Sequence, residues 1–248
     1  MKRVVYPFQM LACMLLLLAV ACAPNPADNA SEAKVEEPAA QEGREMAMET
    51  ETVAGYLIDQ EASSIEWVGS KVTGSHDGGF NQFEGTVEVV NGTPEGTTVD
   101  VTIDNTSLWS DNEDLTGHLK SADFFDVENF PTSTFTSTKV VPSDTAGEYE
   151  VTGNLTLHGV TKQITFPATI EVSEDQVTAQ AEFFIKRFDF GIEYPGRQDD
   201  LIRDEVVIKL NIVATGGGEG EMVIEEDDME GDSMETDSMD EEGTADHG

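Results

Sequence analysis

The feature that most restricts this chain is a two-residue periodicity that recurs through its middle. Val99, Val101 and Ile103 alternate with Asp100, Thr102 and Asp104. Tyr149, Val151, Leu155 and Leu157 alternate with Glu150, Thr152, Asn154 and Thr156. Ile164, Phe166, Ala168, Ile170 and Val172 repeat the pattern, as do Val177, Ala179, Ala181, Phe183 and Ile185. Ile65 and Trp67 open the series over Ser64 to Val72, and Val206, Ile208, Leu210 and Ile212 close it. Successive side chains of a strand point to opposite faces, so each run is a strand with one apolar and one wet side. Phe80, Phe83, Gly85, Val87 and Val89 mark a second strand, and Phe135 starts another. His76-Asp77-Gly78-Gly79, Asn91-Gly92 and Pro94-Glu95-Gly96 read as turns.

Eight strands that each bury a single side are satisfied by a sheet closed on itself, which also removes exposed edges. Short connections make the pairing antiparallel. The expected fold class is all-β, an antiparallel eight-stranded barrel with one short helical insert. Such a barrel is either filled by its own side chains or wide enough for one slender ligand. Ala168, Ala179, Ala181 and Gly153 on the apolar face suit an open lumen, and equally an interior where opposite side chains meet.

One stretch breaks the alternation. Gly117 to Phe135, GHLKSADFFDVENFPTSTF, crowds Phe124, Phe125 and Phe130 into a short polar segment that Pro131 ends. It reads as a short helix, beginning near Asp111, and a loop laid against the sheet or across the barrel mouth.

The ends are of another kind. Lys2 and Arg3 precede an apolar run from Leu11 to Ala21, too short to span a bilayer and followed by no stop-transfer pattern. Ala19-Val20-Ala21-Cys22 is similar to the bacterial lipobox, with Ala19 where leucine is usual. Residues 1-22 are therefore expected to be a lipoprotein signal peptide and Cys22 the lipidation site. Cys13 leaves with the signal, so the mature chain has no partner for an internal disulfide. Residues 23-52, rich in Ala, Pro and Glu, are expected to be a flexible acidic tether. Residues 216-248 carry 14 acidic residues and no Lys or Arg, and are expected to be a disordered acidic tail.

The chain has a formal charge of −37, and residues 53-215 alone hold 28 acidic against 9 basic residues, a formal −19. Such self-repulsion suits a saline habitat and argues against nucleic acid or anionic membrane as direct partners.

HLKSADFFDVENFPTSTF, GNLTLHGVTK at Gly153 to Lys162, and RFDFGI at Arg187 to Ile192 occur in the order and spacing of the YceI-like family. Residues 53-215 resemble that family throughout. The resemblance implies a lipocalin-like barrel in a bacterial periplasmic or secreted protein that binds an elongated apolar lipid. The lipid class implied is a polyisoprenoid, such as an isoprenoid quinone or a polyprenyl lipid. On that reading Phe124, Phe125, Phe130, Phe166, Ala181, Phe183 and Ile185 line the lumen and insert. His118, Lys120 and Arg187 are the candidates for meeting a head group. The partners expected are the apolar lipid and a membrane reached through an N-terminal lipid anchor, with no nucleic acid. The place expected is the cell envelope, exported and facing periplasm or cell surface.

No catalytic or metal residue is assigned. There is no GxSxG elbow, HExxH pair, cysteine pair or phosphate loop, so the expectation is a binding protein without a cofactor beyond its lipid. His76 and His158 read as structural or solvent-facing turn residues, and the Met-rich acidic tail as solubilising. The alternative reading is a ligandless structural or stress-related surface lipoprotein with a packed barrel.

Overall fold

The computed structural model describes residues 23–39, 52–198 and 200–220. Its strands are β1 (Ser31–Glu32), β2 (Lys34–Glu36), β3 (Val53–Ile58), β4 (Ser64–Lys71), β5 (Gly74–Phe80), β6 (Phe83–Val90), β7 (Thr93–Asp104) and β8 (Leu108–Ser110). Helix α1 (Glu113–Leu119) follows, and then β9 (Thr132–Pro142), β10 (Glu148–Leu157), β11 (Val160–Val172), β12 (Gln176–Lys186), β13 (Gly196–Arg197) and β14 (Asp200–Gly220).

Eight of these strands close into an antiparallel barrel in the order β3-β6-β7-β9-β10-β11-β12-β14, with β14 returning to β3. The alternation that the sequence shows is the alternation that the barrel buries. Val87, Val151, Ile164, Phe166, Ala168, Ile170, Val177, Phe183 and Ile185 all lie in one continuous core. β14 is long enough to serve two neighbours on one side: Val206–Asn211 pair with β4, and Ala214–Gly220 pair with β3. Beyond β4, strands β5 and β8 carry the sheet onward past the end where β14 begins. Asn91-Gly92 is a turn as expected, with φ of 53° and 68°, the left-handed pair that a tight hairpin needs.

His76-Asp77-Gly78-Gly79 is strand rather than turn; the chain reverses earlier, at Val72-Thr73. The glycines serve packing there. A Cβ on Gly78 would stand 2.1 Å from Cζ2 of Trp67 on the adjacent β4, so only glycine lets that indole lie against β5. Pro94-Glu95-Gly96 likewise lies within β7.

The larger correction concerns the segment expected to be a tether. Residues 23–39 are folded onto the barrel. β11 and β12 pair with each other only over Thr169–Val172 and Val177–Gln180, and then part. The N-terminal segment fills the opening: β1 runs parallel to Phe183–Phe184 of β12, and β2 pairs with Gln163–Thr165 of β11. Ala33 donates its N–H to the Phe184 carbonyl at 2.9 Å and is only 3% exposed within the main core. Ala27 packs on Val68 and Val207 outside the barrel. Lys162 meets Glu37 at 2.5 Å, and Lys186 pairs with Glu32, which raises the lysine above its ordinary pKa through hydrogen bond and charge. Backbone pairing to two unsatisfied strand edges holds a segment whose composition alone could not fold. Residues 40–51 lie outside the described residues.

The C-terminal boundary also moves. Gly216–Gly220 extend β14 alongside β3, so the expected tail begins no earlier than residue 221, outside the described residues.

If residues 23–39 complete the barrel wall, a charge at Ala33 should be felt as a core defect. Ala33→Asp is expected to lower stability by about 2 kcal/mol or more in a denaturant titration. A free tether would leave the midpoint unchanged.

Candidate functional site: an apolar lumen with a polar rim

The barrel encloses a cavity of about 680 Å³. It runs from Val87, Ile170, Val177 and Ala214 in the barrel body to the mouth framed by α1, β5 and β13. Two effects set its size. Phe166 and Phe183 stack at 4.2 Å and 14°, filling one side. Ala168, Ala179 and Ala181 face the space with side chains too short to cross it. Gly153 does not widen the lumen; it receives the ring of Phe135, whose Cζ lies 2.4 Å from where a Cβ would be.

The insert caps this space. Asn112 starts α1 by accepting the Leu115 N–H at 3.0 Å, and Glu113 and Asp114 stand in the first turn, where the helix dipole favours them. Leu119 and Phe124 are buried in a second cluster with Trp67, Leu108 and Ile192, against which Phe80, Phe125 and Tyr194 pack. Phe125 meets Phe80 edge-on at 5.8 Å, tying the insert to β5. The indole N–H of Trp67 is buried and has no hydrogen-bond partner among the described residues.

Polar groups collect at this end, and three of them are paired. His118 Nε2 donates to Asp123 at 2.9 Å, and its ring stands edge-on to Phe124 and Tyr194 at 5.1 and 5.0 Å. His76 Nδ1 donates to Asp111 at 2.8 Å. Lys71 meets Asp200 at 2.6 Å, and Thr73 donates to the same carboxylate at 2.8 Å. Those two donors, the lysine first, hold Asp200 below its ordinary pKa. Arg197 lines the same rim and is exposed.

Of the residues singled out from sequence, Phe124, Phe125, Phe166, Ala181, Phe183, Ile185, His118 and Arg187 are all brought to the cavity wall. Two are not. Phe130 turns away to pack on the His158-Gly159 turn, its ring 4.9 Å from His158. Lys120 caps the C-terminus of α1 and does not reach the cavity lining. Arg187 reaches the wall but is no free head-group ligand. It is 4% exposed, and its guanidinium donates to the carbonyls of Ile192 at 2.6 Å, Arg203 at 3.0 Å and Ile202 at 3.4 Å. Burial pushes it below the ordinary guanidinium pKa, with Asp204 acting the other way. Its task is to tie the Arg187–Phe190 turn to β14.

Trp67, Lys71, Tyr194 and Arg197 line the cavity without having been named as site residues, and so does His76, which the sequence reading makes a structural or solvent-facing turn residue. His76 carried a usable signal. Gly74, His76, Gly78 and Phe80 share one face of β5 while Ser75 and Asp77 are exposed, an alternation hidden by the glycines.

Comparison with known proteins agrees with this architecture. The model of the YceI-like domain matches residues 56–214. A UPF0312 protein of Pseudomonas putida strain W619 is 35% identical over 165 residues, covering 63% of this chain and 85% of its own. The crystal structure of Burkholderia cenocepacia BcnA superposes with a TM-score of 0.58 at 27% identity, covering 64% of this chain and 99% of that one. A polyisoprenoid-binding domain of Saccharophagus degradans, implicated in plant cell wall breakdown, shares the fold at a TM-score of 0.54 and 19% identity, over 66% and 99% of the two chains.

Because the Arg187 donors serve backbone carbonyls, their loss should damage the fold. Arg187→Met is expected to lower stability by about 2–4 kcal/mol in a denaturant titration, since buried carbonyls lose their partners. A variant of unchanged stability would return Arg187 to the head-group candidates.

Proposed function

The chain belongs to the YceI-like family, and from that premise we propose that its barrel binds an elongated apolar lipid of the polyisoprenoid type, as a lipid-anchored protein of the cell envelope. The observation that carries the reading is the 680 Å³ cavity, walled mainly by aliphatic and aromatic side chains, with its charged and ring-nitrogen groups gathered at one end. That volume falls within the range of pockets that bury most of a small ligand. Removing a hydrocarbon chain from water supplies roughly 25 cal/mol per Å² of apolar surface, so a chain threaded into this lumen needs few directed contacts. The fold-level likeness to a polyisoprenoid-binding domain is consistent with such a ligand.

Each part of the wall then has a task. Val177, Ala179 and Ala181 give passage to the chain, and the Phe166–Phe183 stack narrows one side. Phe124 and Phe125 roof the space from the insert. A polar head rests among His76, His118, Lys71 and Arg197, whose ring and ammonium donors are held in place by Asp111, Asp123 and Asp200. Nothing in the assignment requires a reaction, and the role is carriage or storage.

Mass spectrometry of an organic extract of the purified protein is expected to find an isoprenoid lipid. Ala181→Phe places a ring in the lumen and is expected to abolish that lipid while stability is kept. In a packed barrel the same change overfills the core and costs about 1–3 kcal/mol in a denaturant titration, with no lipid in the parent protein. That pair of results would leave the structural reading.

The anchor is tested separately. No helix among the described residues is long and apolar enough to cross a membrane. Cys22→Ser is expected to move the protein from the membrane fraction to the soluble fraction. Retention in the membrane fraction would refute attachment through Cys22.

A further inference from the structure

The N-terminal segment does more than complete the wall. Its first described residue, Ala23, is fastened at the rim of the cavity. The Ala23 N–H donates to the Val72 carbonyl at 3.2 Å, and Arg203 Nη2 donates to the Ala23 carbonyl at 2.9 Å. Val72 follows Lys71, which lines the cavity, and the Val72 N–H donates to Leu201, which follows the rim residue Asp200. Cys22, outside the described residues, is the next residue along the chain. An acyl group on Cys22 would leave the protein at the mouth of its own barrel, with no spacer between.

The surface there is suited to lipid. Among the described residues four large hydrophobic side chains are exposed, namely Leu57, Val72, Phe188 and Leu201. Three of them lie at this end. Val72 is 38% exposed and Leu201 50%, and they are joined by the hydrogen bond just described. Phe188, 46% exposed, sits beside the same strand, its N–H bonded to Asp204. Leu57 pairs with Thr215, at the far end of β14 from Leu201. Exposed apolar side chains gathered on one face of an otherwise strongly charged domain mark a contact surface.

We infer that the rim bearing Val72, Leu201 and Phe188 lies against the bilayer surface, so that the cavity opens directly onto the membrane. This rests on the anchor at Cys22 in the reading above. The occupant is a zwitterionic lipid surface rather than an anionic one. Lys71 is already paired with Asp200, and Asp77 and Asp111 stand exposed on the neighbouring β5 and at its flank. Apolar contact and the anchor together hold the face down, since one hydrocarbon attachment alone holds a protein only weakly. An apolar ligand then passes between bilayer and lumen without crossing water.

The test uses the full chain, processed and acylated, in phosphatidylcholine vesicles. Cys13 is lost with the signal and Cys22 is acylated, so Leu201→Cys and Leu57→Cys each present a single thiol for a polarity-sensitive dye. A nitroxide-bearing lipid is expected to quench the dye at position 201 several-fold more than the dye at 57. Inserting a flexible Gly-Ser linker of about 20 residues between Cys22 and Ala23 should keep the protein on vesicles while lowering quenching at 201 and slowing transfer of a fluorescent isoprenoid from the bilayer. Equal quenching at 201 and 57 in vesicle-bound protein would overturn the orientation and leave the anchor standing. Protein that stays in the supernatant would overturn both.

Discussion

Everything in this fold depends on the pairing of β12 with β14. It runs without a break from Gln176 opposite Thr215 to Lys186 opposite Glu205, and it turns an open sheet into a ring. Without it, two long strands would present bare edges and the apolar face would have nothing to close against. With it, the circumference is fixed by strand number and the interior volume becomes a matter of side-chain size. Large rings fill one side and alanines leave the other open. The same residue spacing, with Leu or Phe at 168, 179 and 181, would describe a solid barrel.

The ring is also imperfect, and the imperfection explains the N-terminal segment. β11 stays with β10 over Val160–Thr169 and β12 stays with β14, yet β11 and β12 share only four residue pairs. Their free N–H and C=O groups need partners. Residues 31–36 supply them, with Ala33 small enough to sit inside the seam.

What could be read from the sequence follows from what each residue must do alone. A strand that buries one face announces itself by alternation, so the barrel, its antiparallel order and the lumen-facing positions from Phe166 to Ile185 were legible. β1 and β2 were not, because two or three residues of Ser, Glu, Lys and Val carry no period, and their burial rests on edges contributed more than 100 residues later. β5 was misread because Gly78 and Gly79 look like a turn until Trp67 is seen lying on one of them. The insert was legible as a roof but not in detail. Aromatic density says that rings are buried, not that Phe124 faces the lumen while Phe130 serves the His158-Gly159 turn. Arg187 shows the same limit: a cation at the wall is visible in sequence, whereas two of the three carbonyls that occupy it come from β14.

The charge of the domain gives the rim its character. A formal −19 over residues 53-215 disfavours the approach of free anions, and an apolar wall offers a charge no partner. Most donors that reach the cavity are correspondingly answered, Lys71 by Asp200, His118 by Asp123, His76 by Asp111 and Arg187 by backbone carbonyls, while Arg197 stands exposed on the same rim. Each partner holds its donor in a fixed direction. On the proposed reading, a rim built this way suits a neutral, oxygen-bearing head that accepts hydrogen bonds. It is poorly matched to a multiply charged one, which would have to displace carboxylates already bound at 2.6 to 2.9 Å. On that reading, selectivity at the mouth and permissiveness in the lumen have separate physical origins, the first in paired side chains and the second in small ones.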